Sequence, residues 1–348
     1  MTVYIGVDFH ARQQTISYLT TEDGEIKRTV LRHEELTAVR TFYEQFVGHR
    51  VVVGFESSGY AAWFEELLEE LQCEIWIGHA TYIRQAAKRR QKNDRRDADL
   101  ILELLYKGEF PRIHRYSKHT RELLQQLRYR HRLVKIRTMT VNMLVFMAAS
   151  RGITMRKQLQ SKRGQARMKA LALPGPLAKQ RDELLLLVEE LDKKIATVEH
   201  WLAQETKQDQ AVQRLQTHPG IGLLTSICIR YTLEDVSRFA STRKVSGFAG
   251  FDPMEDATDD SRRMGSISKQ GSRWLRFYLV EAGQVACRKD ADLKRAYLRI
   301  KSRRGHPQAK VAIARRLLVR AFIMLRDEID YAEFLERGVA ARSARGSA

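Results

Sequence analysis

Cysteine is scarce in this chain. Cys73, Cys228 and Cys287 are its only three in 348 residues, far apart and in no Cys-x-x-Cys spacing. An odd number so placed argues against a disulfide framework and a thiolate zinc site, and makes the cytoplasm the natural compartment. Long apolar runs are missing as well. Nothing approaches the ~18 consecutive apolar residues of a membrane span, and no secretory apolar segment follows Met1. There is no internal repeat and no low-complexity stretch beyond a small-residue tail after Gly338, expected to fray. Acidic residues are outnumbered 42 to 61 by Lys and Arg, leaving a net charge of +19. The basic residues recur along the whole length, so a polyanion partner is the leading expectation. Charge alone does not separate an enzyme from a ribosomal or nucleoid structural protein. With 43% apolar residues the chain has ample material for two or three packed cores.

The first third is patterned as mixed α/β. "TVYIGVDFH" has the apolar density of a buried strand, "QQTISYLT" alternates, and "TEDGEIKRTVL" supplies an Asp-Gly turn and a third strand. A helix over Glu35–Phe46, a strand "VVVGFE", a helix over Ala61–Leu71, a strand "CEIWIG" and a single helix over Tyr82–Tyr106 follow. From Ser117 to Phe146 a long helix carries Arg, His and Lys on one side and Leu, Val and Met on the other. Residues 149–180 are broken by Gly and Pro. Leu184, Val188, Leu191, Ile195, Val198 and Leu202 then recur at coiled-coil spacing, which fits either a self-packed antiparallel hairpin or a dimer seam. A third region begins near Val212 and ends in two helices, Ala291–Lys301 and Gln308–Arg326.

The stretch "RRQKNDRRDADLI" sets Asp94, Asp97 and Asp99 within one of the most basic runs of the chain. Asp94 and Asp97, three apart on a predicted helix, share a face with β-carbons about 5–6 Å apart. By itself such a pair is an ordinary solvated, charge-paired face. Asp8 is different, because a carboxylate ending an apolar strand is costly to bury without a partner or metal. Glu56 ends the fourth strand. In three antiparallel strands followed by helix, strand, helix, strand and a closing helix, the ends of strands one and four are neighbours and the closing helix crosses near them. Asp8, Glu56, Asp94 and Asp97 then converge, and His10 is a further possible ligand. Carboxylates so close raise one another's pKa unless a cation neutralises them. Mg²⁺, or Mn²⁺, suits such oxygen ligation, and two ions about 3.5–4 Å apart can promote displacement at a phosphodiester. Arg89, Arg90, Lys92, Arg95 and Arg96 would hold the phosphate backbone beside it.

At this point the chain resembles a known family. "YIGVDFHA", "GFESSGY" and "KNDRRDADLI" are similar to the three acidic motifs of the DEDD transposases, the bacterial insertion-sequence family numbered one-ten, relatives of the Piv DNA invertases. "LQTHPGIG", "FAGFDP", "GSISKQGSRWLRFYLVEA" and "RRGHPQAKVAIARRLL" resemble the same family's C-terminal region, in the same order. The resemblance implies a RuvC-like, RNase H fold over residues 1–115 with Asp8, Glu56, Asp94 and Asp97 as metal ligands. It further implies a helical coiled-coil arm over 116–205, a mostly helical transposase domain over 206–338 bearing a serine that joins covalently to DNA, and a flexible tail over 339–348. Implied partners are donor and target DNA, a non-coding bridge RNA and further copies of the chain, as homodimer or homotetramer, in the bacterial cytoplasm at the nucleoid and without a membrane.

One departure matters. The family shows Ser-Gly about five residues after the proline of the "GFDP"-like motif, whereas an ungapped count here reaches Thr258-Asp259. A threonine hydroxyl can attack once deprotonated, but its methyl restricts the rotamer. Ser261 and Ser268 are the fallbacks, and a loop threonine bonded to its own backbone is the plain alternative. "HPGIG" has the look of a helix-hairpin-helix turn, in which Gly220 and Gly222 would let backbone amides approach a phosphate. Lys269, Arg273 and Arg276 around Trp274, and Arg128 and Arg132 on the long helix, suit nucleic-acid contact.

Three other classes compete. A RuvC-like junction nuclease would use water and have no use for the third region. A sugar or acetate kinase of the actin-like type needs a second three-stranded motif and a Gly-rich phosphate loop, neither of which is present. A non-catalytic nucleic-acid-binding protein would keep binding after loss of its carboxylates.

Overall fold

The computed structural model describes residues 1–87, 94–155, 157–258 and 261–346. Its chain divides into two compact units, Met1–Arg115 and Tyr116–Ala348. The first is mixed α/β. It contains β1 (Thr2–Phe9), β2 (Gln13–Thr20), β3 (Lys27–Arg32), α1 (Leu36–Glu44), β4 (Arg50–Glu56), α2 (Ala62–Glu70), β5 (Glu74–Gly78), α3 (Ala80–Ala86) and α4 (Asp94–Tyr106). The sheet order is β3-β2-β1-β4-β5. β2 runs antiparallel to both β1 and β3, and β4 and β5 run parallel to β1.

Strand alternation decides which face each side chain takes. Val3, Ile5 and Val7 of β1 lie with Val51, Val53 and Phe55 of β4 on one face, in a core shared with Tyr43, Phe64 and Leu68. The other face, carrying Gly6 and Asp8, is covered by α4. There Ile101, Leu104 and Leu105 pack with Val52, Ile83 and Phe110. Each such burial contributes about 1.5–3 kcal/mol, so a one-residue slip that exchanged Val7 with Asp8 is prohibited. Gly6 allows α4 its close approach. A Cβ there would sit 2.6 Å from the Ala98 carbonyl oxygen and 2.5 Å from the Leu102 nitrogen.

The expected single helix over Tyr82–Tyr106 is corrected to two. Ala87, with extended backbone, ends α3, and α4 starts at Asp94. Asp94 and Asp97 therefore occupy the first turn of α4, where negative charge complements the exposed amides.

The second unit is mostly helical. Its elements are α5 (Lys118–Ala149), α6 (Lys162–Lys169), α7 (Gly175–Glu205), α8 (Gln210–Gln216), α9 (Leu223–Leu233), α10 (Thr242–Phe248), a hairpin of β6 (Pro253–Thr258) and β7 (Ser261–Ile267), α11 (Arg273–Lys289), α12 (Ala291–Arg304), α13 (His306–Arg326) and α14 (Tyr331–Gly346). Polar caps start several of these helices: Ser117, Ser272 and Asp290 each accept a bond from the amide three residues on. The long helices α5 and α7 pack antiparallel, tied by Arg130–Glu199 and Arg137–Asp192 pairs. Val188, Leu191, Ile195, Val198 and Leu202 are buried within the chain, so the α7 stripe serves the self-packed hairpin. The small residues after Gly338 continue α14 to Gly346, since Ala and Arg are strong helix formers.

Candidate functional site

At the carboxyl end of β1 the sequence leaves three groups on one spot. Asp8, His10 and Asp94 each place one ligand atom within 4.8 Å of the others. His10 Nε2 lies 3.0 Å from Asp8 Oδ2 and 3.9 Å from Asp94 Oδ1. Burial raises the Asp8 carboxyl above its ordinary value, His10 opposes that, and Asp97 and Asp94 add like-charge repulsion in the same direction as burial. Among the described residues His10 is the only side-chain donor to Asp8. A half-buried carboxyl with like charges beside it and one weak donor has the chemistry of a cation ligand. The set is rich in carboxylate oxygen, with one imidazole, and fits a hard divalent ion.

Glu56 reaches the same end of the sheet by strand register. Val7 pairs with Phe55, so Asp8 and Glu56 are the next residues of adjacent parallel strands. Its carboxylate lies 3.6 Å from the Arg84 guanidinium and outside the three-residue cluster. Asp99 plays a different part from its two neighbours. It accepts from Ser17 Oγ at 2.6 Å and from Arg28 at 2.9 and 3.2 Å, which fastens α4 to β2 and β3. A sequence signal for this arrangement lay in "GVD" and "GFE". Glycine two residues before each acid marks the strand face on which α4 comes close, and at Gly54 a Cβ would press on Leu105.

The remaining expected contacts divide. Arg89, Arg90 and Lys92 lie outside the described residues. Arg95, Arg96, Arg128 and Arg132 are exposed. Arg276 is instead engaged by the protein, donating to the carbonyls of Ala249, Gln270 and Gly271. Arg273 stacks over Trp274, which also meets His131 edge-on. Lys269 sits exposed in the left-handed region, at φ 55°. Gly220, with φ +99°, abuts the α11 backbone at Ala282 and Ala286, so its missing side chain serves internal packing; Gly222 at the start of α9 faces open space. Thr258 and Ser261 are not in an irregular loop. They are paired residues at the end of the β6–β7 hairpin. Ser268 donates to Asp252 at 2.7 Å and is thereby occupied. Among the described residues no helix is long and apolar enough to cross a membrane.

Structurally the chain is of a definite class: a mixed α/β unit that gathers carboxylates at the end of its central strand, joined to a basic helical unit. The comparisons give the family. Residues 5–146 match the DEDD transposase model of the IS110 type, and residues 212–298 match the model described as "Transposase IS116/IS110/IS902 family". A protein of Pseudomonas aeruginosa described as "Probable family 20 transposase" is 25% identical over 260 residues, covering 72% of this chain and 75% of that one. The transposase for insertion sequence element IS1111A of Coxiella burnetii is 28% identical, covering 64% of each. The transposase for IS1328 of Yersinia enterocolitica is 28% identical over 67% of this chain and 70% of its own. The chain belongs to the IS110 family of DEDD transposases.

Proposed function

We propose that this protein cleaves and rejoins DNA to move an insertion sequence. The observation that carries the reading is the convergence of Asp8, His10 and Asp94, with Asp97 close enough to raise Asp8, in a chain of this family. In the proposal residues 1–115 form a RuvC-like, RNase H domain, for which the β3-β2-β1-β4-β5 order is the support. Asp8, Glu56, Asp94 and Asp97 would hold Mg²⁺ or Mn²⁺, which when bound supplies positive charge to a scissile phosphate and its leaving oxygen. The protein's own part is to keep these carboxylates ionised and oriented. Gly6 seats α4, Asp99 fastens it, and His10 steadies Asp8.

Thr258, with Ser261 opposite it, is assigned the attacking hydroxyl, which must lose its proton before it attacks phosphorus. Residues 116–205 are the arm, 206–338 the transposase domain and 339–348 its tail. Donor and target DNA are the substrates, and a bridge RNA is the guide implied by family likeness. Assembly as dimer or tetramer has its own support. Tyr129, Ile136, Met139, Met143 and Phe146 of α5 are all exposed and spaced as a heptad stripe, which supports α5 as the seam between copies.

The test is recombination of a donor and a target plasmid in cells, with the element's flanks supplied. Loss of joining in Asp8→Ala, Asp97→Ala and Thr258→Ala, with joining retained in Thr258→Ser, supports the reading. A silent Thr258→Ala with an inactive Ser261→Ala moves the nucleophile to Ser261. Joining that survives Asp8→Ala removes the carboxylate centre from the reaction.

A further inference from the structure

The terminal helices form a groove that none of the assigned roles uses. Phe251, Ile267, Ile300, Val311 and Val319 line it, between the base of the β6–β7 hairpin and the helices α12 and α13. It encloses about 1190 Å³. Arg304, Arg315 and Arg316 stand on its edge, and Arg299 and Arg303 extend the basic surface along α12. All five are exposed, and among the described residues none of them has a carboxylate partner. Arg320, in contrast, is already paired with Asp290.

An apolar floor with an arginine rim is complementary to a particular anion. Duplex DNA presents phosphates outward and keeps its bases stacked, so it would satisfy the rim and leave the floor in water. An unpaired strand offers both parts: phosphates for the guanidiniums and bare base faces for the floor. The floor is short of polar partners, Ser266 and Gln308 being its uncharged ones. RNA would bury 2′-hydroxyls there without hydrogen bonds, at a cost that DNA escapes. The same hairpin whose base lines the groove ends in Thr258 and Ser261.

We infer that the groove between the β6–β7 hairpin and helices α12–α13 seats an unpaired DNA strand and leads it along the hairpin that carries the candidate nucleophile. The inference rests on the proposed reading only for the purpose of the strand; binding itself requires neither the carboxylates nor the hydroxyl.

Fluorescence anisotropy of the full-length chain in chelator, with labelled oligothymidine, its RNA counterpart and a mixed-sequence duplex, tests it across a salt series. Arg315→Ala with Arg316→Ala should weaken oligothymidine binding at least tenfold and lower its salt slope by about 1.4, the value for two lost single-strand phosphates. Arg315→Lys with Arg316→Lys should restore the slope. Ile300→Ala should weaken oligothymidine several-fold at unchanged slope and leave the duplex unaffected. Equal losses for duplex and single strand in every variant would reduce the groove to general basic surface and overturn the inference. So would RNA binding that depends more on Ile300 than DNA binding does, or Arg variants that change only the mass of the particle, which would make the occupant another protein. Asp8→Ala serves as control. If it stops recombination but binds oligothymidine normally, the two proposals stand apart and either can fail alone.

Discussion

Asp290 and Asp8 are both drawn back from solvent, and they are opposites. Asp290, in the second unit, is buried with its carboxylate bonded by the Tyr331 hydroxyl, the Leu293 amide and the Arg320 guanidinium. Burial alone would raise its pKa, but those donors outweigh it and hold the carboxyl below its ordinary range. Asp8, in the first unit, is likewise raised by burial, yet among the described residues His10 is its one opposing partner and Asp97 and Asp94 push it further up. A buried carboxylate with its donors complete is structural. One left with like charges has the chemistry of a cation ligand, the role proposed for Asp8.

The widest separation of the two should come from substitution by alanine. Asp8→Ala or Asp97→Ala is expected to lower plasmid recombination by more than about 100-fold, a loss of roughly 3 kcal/mol or more of transition-state stabilisation, while the thermal midpoint holds or rises. Asp290→Ala should do the reverse to stability. It strands Arg320 in the interior and is expected to cost about 3–5 kcal/mol in urea titrations.

Acid should also strain the Asp290 side of the molecule. His218, against the Tyr331 ring, is buried, and burial drives its pKa down to about 4, the Pro219 carbonyl opposing only in part. The unfolded chain then binds the proton more readily. Stability should fall as pH drops from about 6.5 through about 4, by about 3 kcal/mol, and His218→Gln should flatten that limb of a pH–urea series. The Asp290 contribution has the other window. It is fully present above about pH 4 and is lost below that, as pH falls through its depressed value.

Cation binding is the next effect in size. Mg²⁺ or Mn²⁺ at about 100 times its dissociation constant should stabilise the wild type by about 2.7 kcal/mol and Asp8→Ala hardly at all. An equal rise in both proteins would deny the Asp8 cluster its role. Comparable in size is Gly6→Ala, about 1–3 kcal/mol, because the new methyl meets helix backbone that must retreat. Recombination should suffer beyond that loss, as Asp94 and Asp97 ride on the displaced helix.

Much of this was legible in the chain of letters. The strands of the first unit and the helices α1 and α2 stand where alternation and turn residues put them, because local pattern and burial agree there, whereas the one helix expected over Tyr82–Tyr106 is two. The hairpin β6–β7 was not legible, since its strands "PMEDAT" and "SRRMGSI" carry charged residues and no apolar alternation, and are joined by backbone pairing. Nor was the partition of arginines. Arg276 and Arg299 look equivalent in sequence, but one caps three carbonyls and the other faces solvent.

The sequence by itself determined the charge, the mixed α/β opening, the order of the acidic motifs and the family to which they belong. Only the tertiary structure decided which acids are spent on structure and which remain available. Asp99 and Asp97 are two residues apart, yet Ser17 and Arg28 saturate the first while the second faces Asp8 across a sheet-to-helix contact. That difference arises from groups brought together over some eighty positions of chain, as in the separation of Ser17 from Asp99. No local pattern records it, because hydrogen bonding and repulsion depend on who arrives in space.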